Sequence, residues 1–403
     1  MTWFVLVESN TTGSGRQFCA AARELGLRPV VLTRHPERYP YLATDAVDHL
    51  PVDTADQEAV SEACRALAED GGLAGVTSSS EYFIAAAASA AARLGLPAAD
   101  PQALTRCRHK DLQRAALAAA GVPVPAHRAV GGLAEALAAA DELGYPVVVK
   151  PTTGSGSVGV RLCAGPEDLA AHAAPLLDSP VNERGQATPG LVLVEEYVTG
   201  REFSVETFDH EVVGVVGKHL GPPPHFVETG HDFPAPAAPA ELERLADTTT
   251  RAVRALGLGW GAAHTELRLG PRGPVVIEVN PRLAGGMIPS LVRLATGVDL
   301  VAAVVARAAG TGPSLTPDRA GHASIRFALA HRAGTVRAVD GAERAAALPG
   351  VELAETTVAP GTEFEPTHSF RDRFGYAVAT GPDAATAADR ATRAAALLSI
   401  ETS

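Results

Sequence analysis

The side chains best suited to chemistry sit in one stretch, HTELRLGPRGPVVIEVNPRLAGG, residues 264–286. Two segments with apolar flanks, Ala262–Leu269 and Pro274–Asn280, border Gly270-Pro271-Arg272-Gly273. That pattern predicts an antiparallel hairpin closed by a Gly/Pro turn. Glu266 lies six residues before Arg272 and Glu278 six after it. A symmetric hairpin sets the two carboxylates opposite each other, with Asn280 on the same face; a one-residue bulge would separate them. Like charges facing across a ladder at about 5 Å repel, so an empty hairpin is expected to be strained and a cation between the glutamates to relieve it. Two carboxylates and an amide are hard oxygen donors of the kind Mg²⁺ takes beside phosphate oxygens. Arg282, two residues beyond Asn280, suits a carboxylate or phosphate.

A second set of groups lies in YPVVVKPTTGSGSVGVRLC, residues 145–163. Gly154-x-Gly156-x-x-Gly159 has the spacing of a dinucleotide loop, yet an apolar strand follows it where that fold needs a helix. The expected geometry is a hairpin flap whose glycines let backbone N–H groups approach phosphate, with Ser155 and Ser157 adding hydroxyls. Lys150, ending the strand before the flap, is placed to clamp a phosphate. GxxxxGK[ST] is absent, which excludes the usual phosphate-loop NTPase.

The elements that must position these groups divide 403 residues into several domains. Residues 1–100 alternate strand and helix, predicting a small parallel sheet. Its loops Asn10–Gly15 and Ser78–Glu81 lie where ligands bind such sheets, so Thr12 and Glu81 are binding candidates. Helices around Lys110 follow, then the flap hairpin, further strands, a long Pro-rich loop over Gly221–Pro239, the Glu266 hairpin and a closing α+β segment. A net charge of −12 argues against a nucleic-acid or anionic-membrane partner. Four scattered cysteines without metal spacing, and no signal peptide, suggest a reduced cytoplasmic protein.

Taken in order, Lys110, Lys150 with the loop 152–159, Glu195-Glu196-Tyr197-Val198, Gly200-Arg201-Glu202 and Glu266…Glu278-x-Asn280-x-Arg282 resemble the ATP-grasp superfamily, and within it the amino-acid ligases, which join a carboxylate to an amine. The resemblance covers roughly residues 100–310. It implies an α/β architecture: a flavodoxin-like domain (1–100), a two-lobed α+β ATP-grasp fold (101–190 with the flap, 191–312 with the metal site) and a small α+β lid (313–403). It implies that Lys110, Lys150, Ser155, Gly156, Ser157 and Val158 contact ATP, that Glu195, Glu196 and Val198 border adenine, and that Glu202 holds ribose. Glu266, Glu278 and Asn280 would hold Mg²⁺ or Mn²⁺, and Arg282 would stabilise an acyl phosphate and its adduct. PPHFVETGHDFPAP, residues 223–236, resembles the substrate segment of amino-acid ligases, making Glu228 and His231 substrate candidates together with Gly285 and Gly286. His231, as a loop histidine, is expected to bind an amino acid in a pH-dependent way. The partners implied are ATP and small carboxylate and amine substrates, in a possible homodimer. A carboxylase or formate-activating enzyme of the same superfamily is the alternative, and a non-catalytic nucleotide-binding regulator a third; the metal triad with Arg282 counts against the last.

Overall fold

The computed structural model describes residues 1–10, 14–182 and 184–403; Thr12 lies outside them. The N-terminal strands Trp3–Val7, Arg28–Thr33, Asp48–Pro51 and Leu73–Thr77 form a parallel sheet in spatial order third, second, first, fourth. The first of these, WFVLV, is buried throughout, as a parallel strand covered on both faces must be. Asp56 caps the helix Gln57–Gly71 by accepting from the N–H groups of Glu58 and Ala59.

Asp100 caps Pro101–Arg108, and Lys110–Ala119 follows after a single residue. The flap belongs to a four-stranded antiparallel sheet, His127–Val130, Val192–Glu196, Val147–Pro151 and Arg161–Cys163 in spatial order. Helices Leu133–Leu143 and Pro166–Asp178 bury their alanine and leucine faces against it.

The second lobe is an antiparallel sheet of eight strands: Gly273–Asn280, Ala262–Gly270, Arg201–Phe208, Glu211–Leu220, Glu228–Phe233, His322–Leu329, Arg373–Gly381 and Val351–Thr356. It runs on past residue 313, because Glu228–Phe233 pairs with His322–Leu329, Gly230 facing Arg326 and Phe233 facing Ala323. The Pro-rich stretch 221–239 is therefore not one loop: residues 228–233 are a strand, held between two neighbours that satisfy its backbone. Helices Ile288–Thr296 and Leu300–Ala308 fill the space between this sheet and the N-terminal domain through one apolar core that includes Phe18, Leu291 and Val305. No single helix among the described residues is long and apolar enough to cross a membrane.

Candidate active site

The hairpin pairs Glu266 with Glu278, though not by symmetry about Arg272. Gly270 faces Gly273, Leu267 faces Val276, and a one-residue irregularity between Glu266 and Leu267 shifts the register so that Glu266 meets Glu278 and His264 meets Asn280. The bulge brings the glutamates together, whereas the sequence reading had it separating them. Gly273–Asn280 is the edge strand, and its outer backbone is covered by a side chain. Gln113 Oε1 accepts from Val279 N at 2.8 Å and its Nε2 donates to Val279 O at 2.7 Å. The residue between Glu278 and Asn280 is thereby anchored to the helix that begins at Lys110.

The expected repulsion between the glutamates is absent because each has a cationic partner. Lys218 Nζ lies 2.8 Å and His264 Nε2 3.1 Å from the same oxygen of Glu266, Oε1. Lys110 Nζ lies 3.1 Å from Glu278 Oε1 and donates to Gly154 O at 2.8 Å. Among the described residues nothing hydrogen-bonds Glu266 Oε2. The Asn280 amide fits best with its nitrogen toward Glu81 and Glu278, 3.2 Å from each. Acidic oxygens on one face, one without a protein partner, fit a hard divalent cation; Asn280 joins the set once its amide turns oxygen-first.

Between the two lobes lies an open cleft of about 1050 Å³. It is lined by Lys110, Lys150, Ser155, Gly156, Ser157, Val158, Glu195, Glu196, Val198, Glu202, Glu228, Glu266, Glu278, Asn280 and Arg282. His231, Gly285 and Gly286 are not on its wall. Lys150 Nζ is 2.5 Å from Glu195 Oε2, and Arg114 Nε is 2.6 Å from Glu195 Oε1. Burial opposes ionisation of Glu195, but Arg114 and Lys150 outweigh it and hold its pKa down to about 2. The Glu195 side chain thus anchors Lys150. At the next residues, Glu196 N–H is taken by Ala126 O and Val198 O by Arg268, whereas Val198 N–H makes no hydrogen bond among the described residues.

Glu202 meets Arg268 at 3.0 Å and Lys218 at 3.2 Å. Lys218 also meets Glu228 at 2.6 Å, so one almost fully buried ammonium gathers three carboxylates. Burial lowers its pKa, but Glu228, Glu266 and Glu202 more than reverse that and hold it well above the ordinary value. The pattern VVGVVGKHL could have flagged it: a lone lysine inside an apolar strand needs buried partners. Arg373, from the C-terminal segment, donates to Glu228 Oε2 at 2.8 Å and stacks 3.8 Å above the Phe327 ring. Nothing local in the sequence marks Arg373.

Arg282 donates twice to Glu81 Oε2, from Nη2 at 2.6 Å and Nε at 3.0 Å, and once to Leu283 O. Three of its five N–H groups are used, and the rest remain for a ligand. Burial raises the Glu81 pKa, but Arg282, Arg108 and a bond from Ser155 bring it down to about 2. The N-terminal loop therefore reaches Arg282, on the cleft wall, through Glu81, and the flap touches that loop, with Ser155 Oγ 3.3 Å from Tyr82 OH. At the flap tip, a Cβ on Gly156 (φ +63°) would come within 2.3 Å of Phe370, so only glycine lets the flap sit against the C-terminal segment.

His231 differs most from expectation. It lies in a strand with 1% of its surface exposed, edge-on to Phe327, and neither ring nitrogen has a hydrogen-bond partner among the described residues. Burial lowers its pKa to about 3, with Glu228 opposing, so the ring is neutral at physiological pH. Gly286 packs on it: a Cβ there would fall 2.5 Å from Nε2. Gly285 faces open space.

The chain is similar to known proteins along most of its length. Residues 19–98 match the ATP-grasp N-terminal domain, 143–290 the ATP-grasp domain and 326–403 the L-amino acid ligase C-terminal domain 2. The chain is 41% identical over 383 residues to uncharacterized protein y4rH of Sinorhizobium fredii, covering 95% of this chain and 79% of that protein. It is 30% identical to the alanine–anticapsin ligase of Bacillus amyloliquefaciens, over 62% of this chain and 57% of that protein. Carnosine synthase 1 of Gallus gallus is 31% identical over 73% of this chain, which spans only 34% of that longer protein. The fold matches the L-amino acid ligase from Bacillus licheniformis with a TM-score of 0.84 at 22% identity, covering 100% of this chain and 99% of the other. The chain belongs to the ATP-grasp superfamily, as an ATP-dependent ligase carrying the C-terminal domain of the L-amino acid ligases.

Proposed function

We propose that this protein joins a carboxylate to an amine, at least one of them an amino acid, through an acyl phosphate, converting ATP to ADP and phosphate. The observation that carries the reading is the Glu266–Glu278 pair with Arg282 on the same strand end, facing Lys110 and Lys150 beneath the flap. A carboxylate is a poor electrophile, and phosphorylation gives it a leaving group. Lys110 and Lys150 are placed to bind phosphate oxygens, and the flap's backbone N–H groups to cover them. The free Val198 N–H suits a purine acceptor, and Glu202 the ribose hydroxyls. Glu266, Glu278 and Asn280 would hold Mg²⁺, which would supply charge neutralisation at the transferring phosphoryl group. The remaining N–H groups of Arg282 meet the negative charge that grows on the acyl group, the largest contribution in reactions of this class. The flap, meeting Glu81, Tyr82 and Phe370, excludes water from the acyl phosphate until the amine attacks.

On the substrate side the reading shifts from His231 to Glu228 and Arg373, which line the cleft while His231 stands behind Glu228. Names of relatives support an amino acid on one side: alanine–anticapsin ligase and L-amino acid ligase. The C-terminal domain match favours this over bicarbonate or formate activation. We place the protein in the cytoplasm, where ATP is available and its four buried free cysteines stay reduced. Screening amino acids in pairs for phosphate release, with hydroxylamine as a general acceptor, tests the function. A hydroxamate is expected from one carboxylate substrate; turnover that depends only on bicarbonate would refute it.

A further inference from the structure

One buried carboxylate in the second lobe has no part in the reading above. Glu206 lies on Arg201–Phe208, directly opposite His264 in the ladder, and its Oε1 is 2.8 Å from His264 Nδ1. Ser204 Oγ donates to the same oxygen at 2.8 Å. The other ring nitrogen of His264, Nε2, is 3.1 Å from Glu266 Oε1. Glu206 is 3% exposed and His264 4%, and neither lines the cleft, so neither can touch a substrate. The result is a chain of carboxylate, imidazole and carboxylate on one sheet face, ending at Glu266.

The order of contacts around Glu266 gives the chain a purpose. His264 and Lys218 both approach Oε1, which leaves Oε2 without a partner among the described residues. Lys218 is shared with Glu202 and Glu228, so it fixes no single rotation of the Glu266 carboxylate. His264 has one other partner, and its ring plane is set by Glu206. We propose that Glu206 and His264 are positioning residues that lock Glu266 so that Oε2 is the oxygen it offers to the divalent cation. This rests on the metal reading above. Partners of this outer kind are worth about 10–100-fold in metal affinity.

Binding of Mn²⁺ to the full-length protein with ADP, followed by electron paramagnetic resonance, tests the proposal. His264→Asn and Glu206→Gln should each weaken Mn²⁺ about 10–100-fold. ADP affinity without metal should stay at the wild-type value. His264→Gln, whose amide still reaches Glu266 as a donor, should recover part of the loss. Glu206→Gln nearly preserves volume and serves where the histidine variant folds poorly, with circular dichroism as the check. A role limited to folding would lower the melting temperature and leave the Mn²⁺ titration unchanged, and that result overturns the proposal. Glu266→Gln separates the two levels. If it weakens Mn²⁺ while Glu206→Gln and His264→Asn do not, only the positioning role falls. If it too binds Mn²⁺ normally, the metal assignment falls and the positioning role with it.

Discussion

Glu8, just past the end of a parallel strand, and Glu266, in the middle of an antiparallel one, are both acidic groups, and they are satisfied in opposite ways. Glu8, closing the first parallel strand, accepts from three neutral hydroxyls: Tyr39 at 2.5 Å, Thr54 at 2.9 Å and Thr33 at 3.0 Å. Both of its oxygens are used, and it lies 4% exposed. Glu266 instead has one oxygen held by Lys218 and His264 and one left over. Glu8, off the cleft wall and with both oxygens taken by neutral hydroxyls, has little left to give a ligand and serves the fold. A carboxylate held by cations on a single oxygen is neutralised and still available. The same contrast separates Glu195, bonded on both oxygens between Arg114 and Lys150, from Glu278, whose Oε1 alone faces Lys110.

If that contrast is right, substitutions on its two sides fail differently. Glu278→Gln should lower turnover by about 10²–10³-fold or more, the scale of removing one electrostatic contributor from a reaction site. Its melting temperature should fall slightly, since Lys110 loses its partner; steady-state kinetics with a Mg²⁺ titration and a thermal melt read both. Near-normal turnover with ordinary Mg²⁺ dependence would erase the distinction. Arg282→Ala should depress kcat by about 10²-fold with a smaller change in KM, because its free N–H groups act where charge develops. Equal KM effects and an unchanged kcat would make Arg282 a binding group.

On the structural side, Glu8→Gln should leave kcat/KM at the wild-type value and cost about 1–3 kcal/mol of stability, since a Gln amide nitrogen would face hydroxyls oriented to donate. Denaturant unfolding measures the loss; a fall in turnover instead would join Glu8 to the site. The smallest effect concerns His231. Its pKa is about 3 when folded against 6.5 when unfolded, so the unfolded chain binds the proton first as pH falls. Its contribution to stability is complete above pH 6.5 and is lost as pH drops toward 3. His231→Gln should flatten the acid limb of a stability–pH curve, and the wild-type KM should show no His231 step between pH 6 and 8. A KM transition near 6.5 that vanishes in the variant would restore the expectation of a loop histidine that binds substrate.

The facing glutamates, Lys150 and the flap were legible because each rests on local signals: strand alternation, a lysine ending a strand, a glycine-rich turn; Lys110 was named only through the family resemblance. Register was not. The pairing of Glu266 with Glu278 depends on a bulge at Ile277 that no composition marks. His231 was misplaced because proline and glycine on either side suggested a loop, while pairing to Lys218 and Ile325 made it a strand. Long-range groups were hidden for a different reason. Glu81 meets Arg282 from 201 residues away, and Arg373 meets Glu228 from 145. Glu81 could be named as a loop-end candidate, but its partner could not. Arg373 gave no sign because its value comes only from the sheet that carries the C-terminal segment back to the cleft.

The central claim, an amide bond formed through an acyl phosphate, is tested most directly by isotope transfer. A carboxylate substrate labelled with ¹⁸O, turned over with ATP and the amine, should give ADP and inorganic phosphate carrying one ¹⁸O. Formation of AMP and pyrophosphate, with the label in AMP, would contradict it.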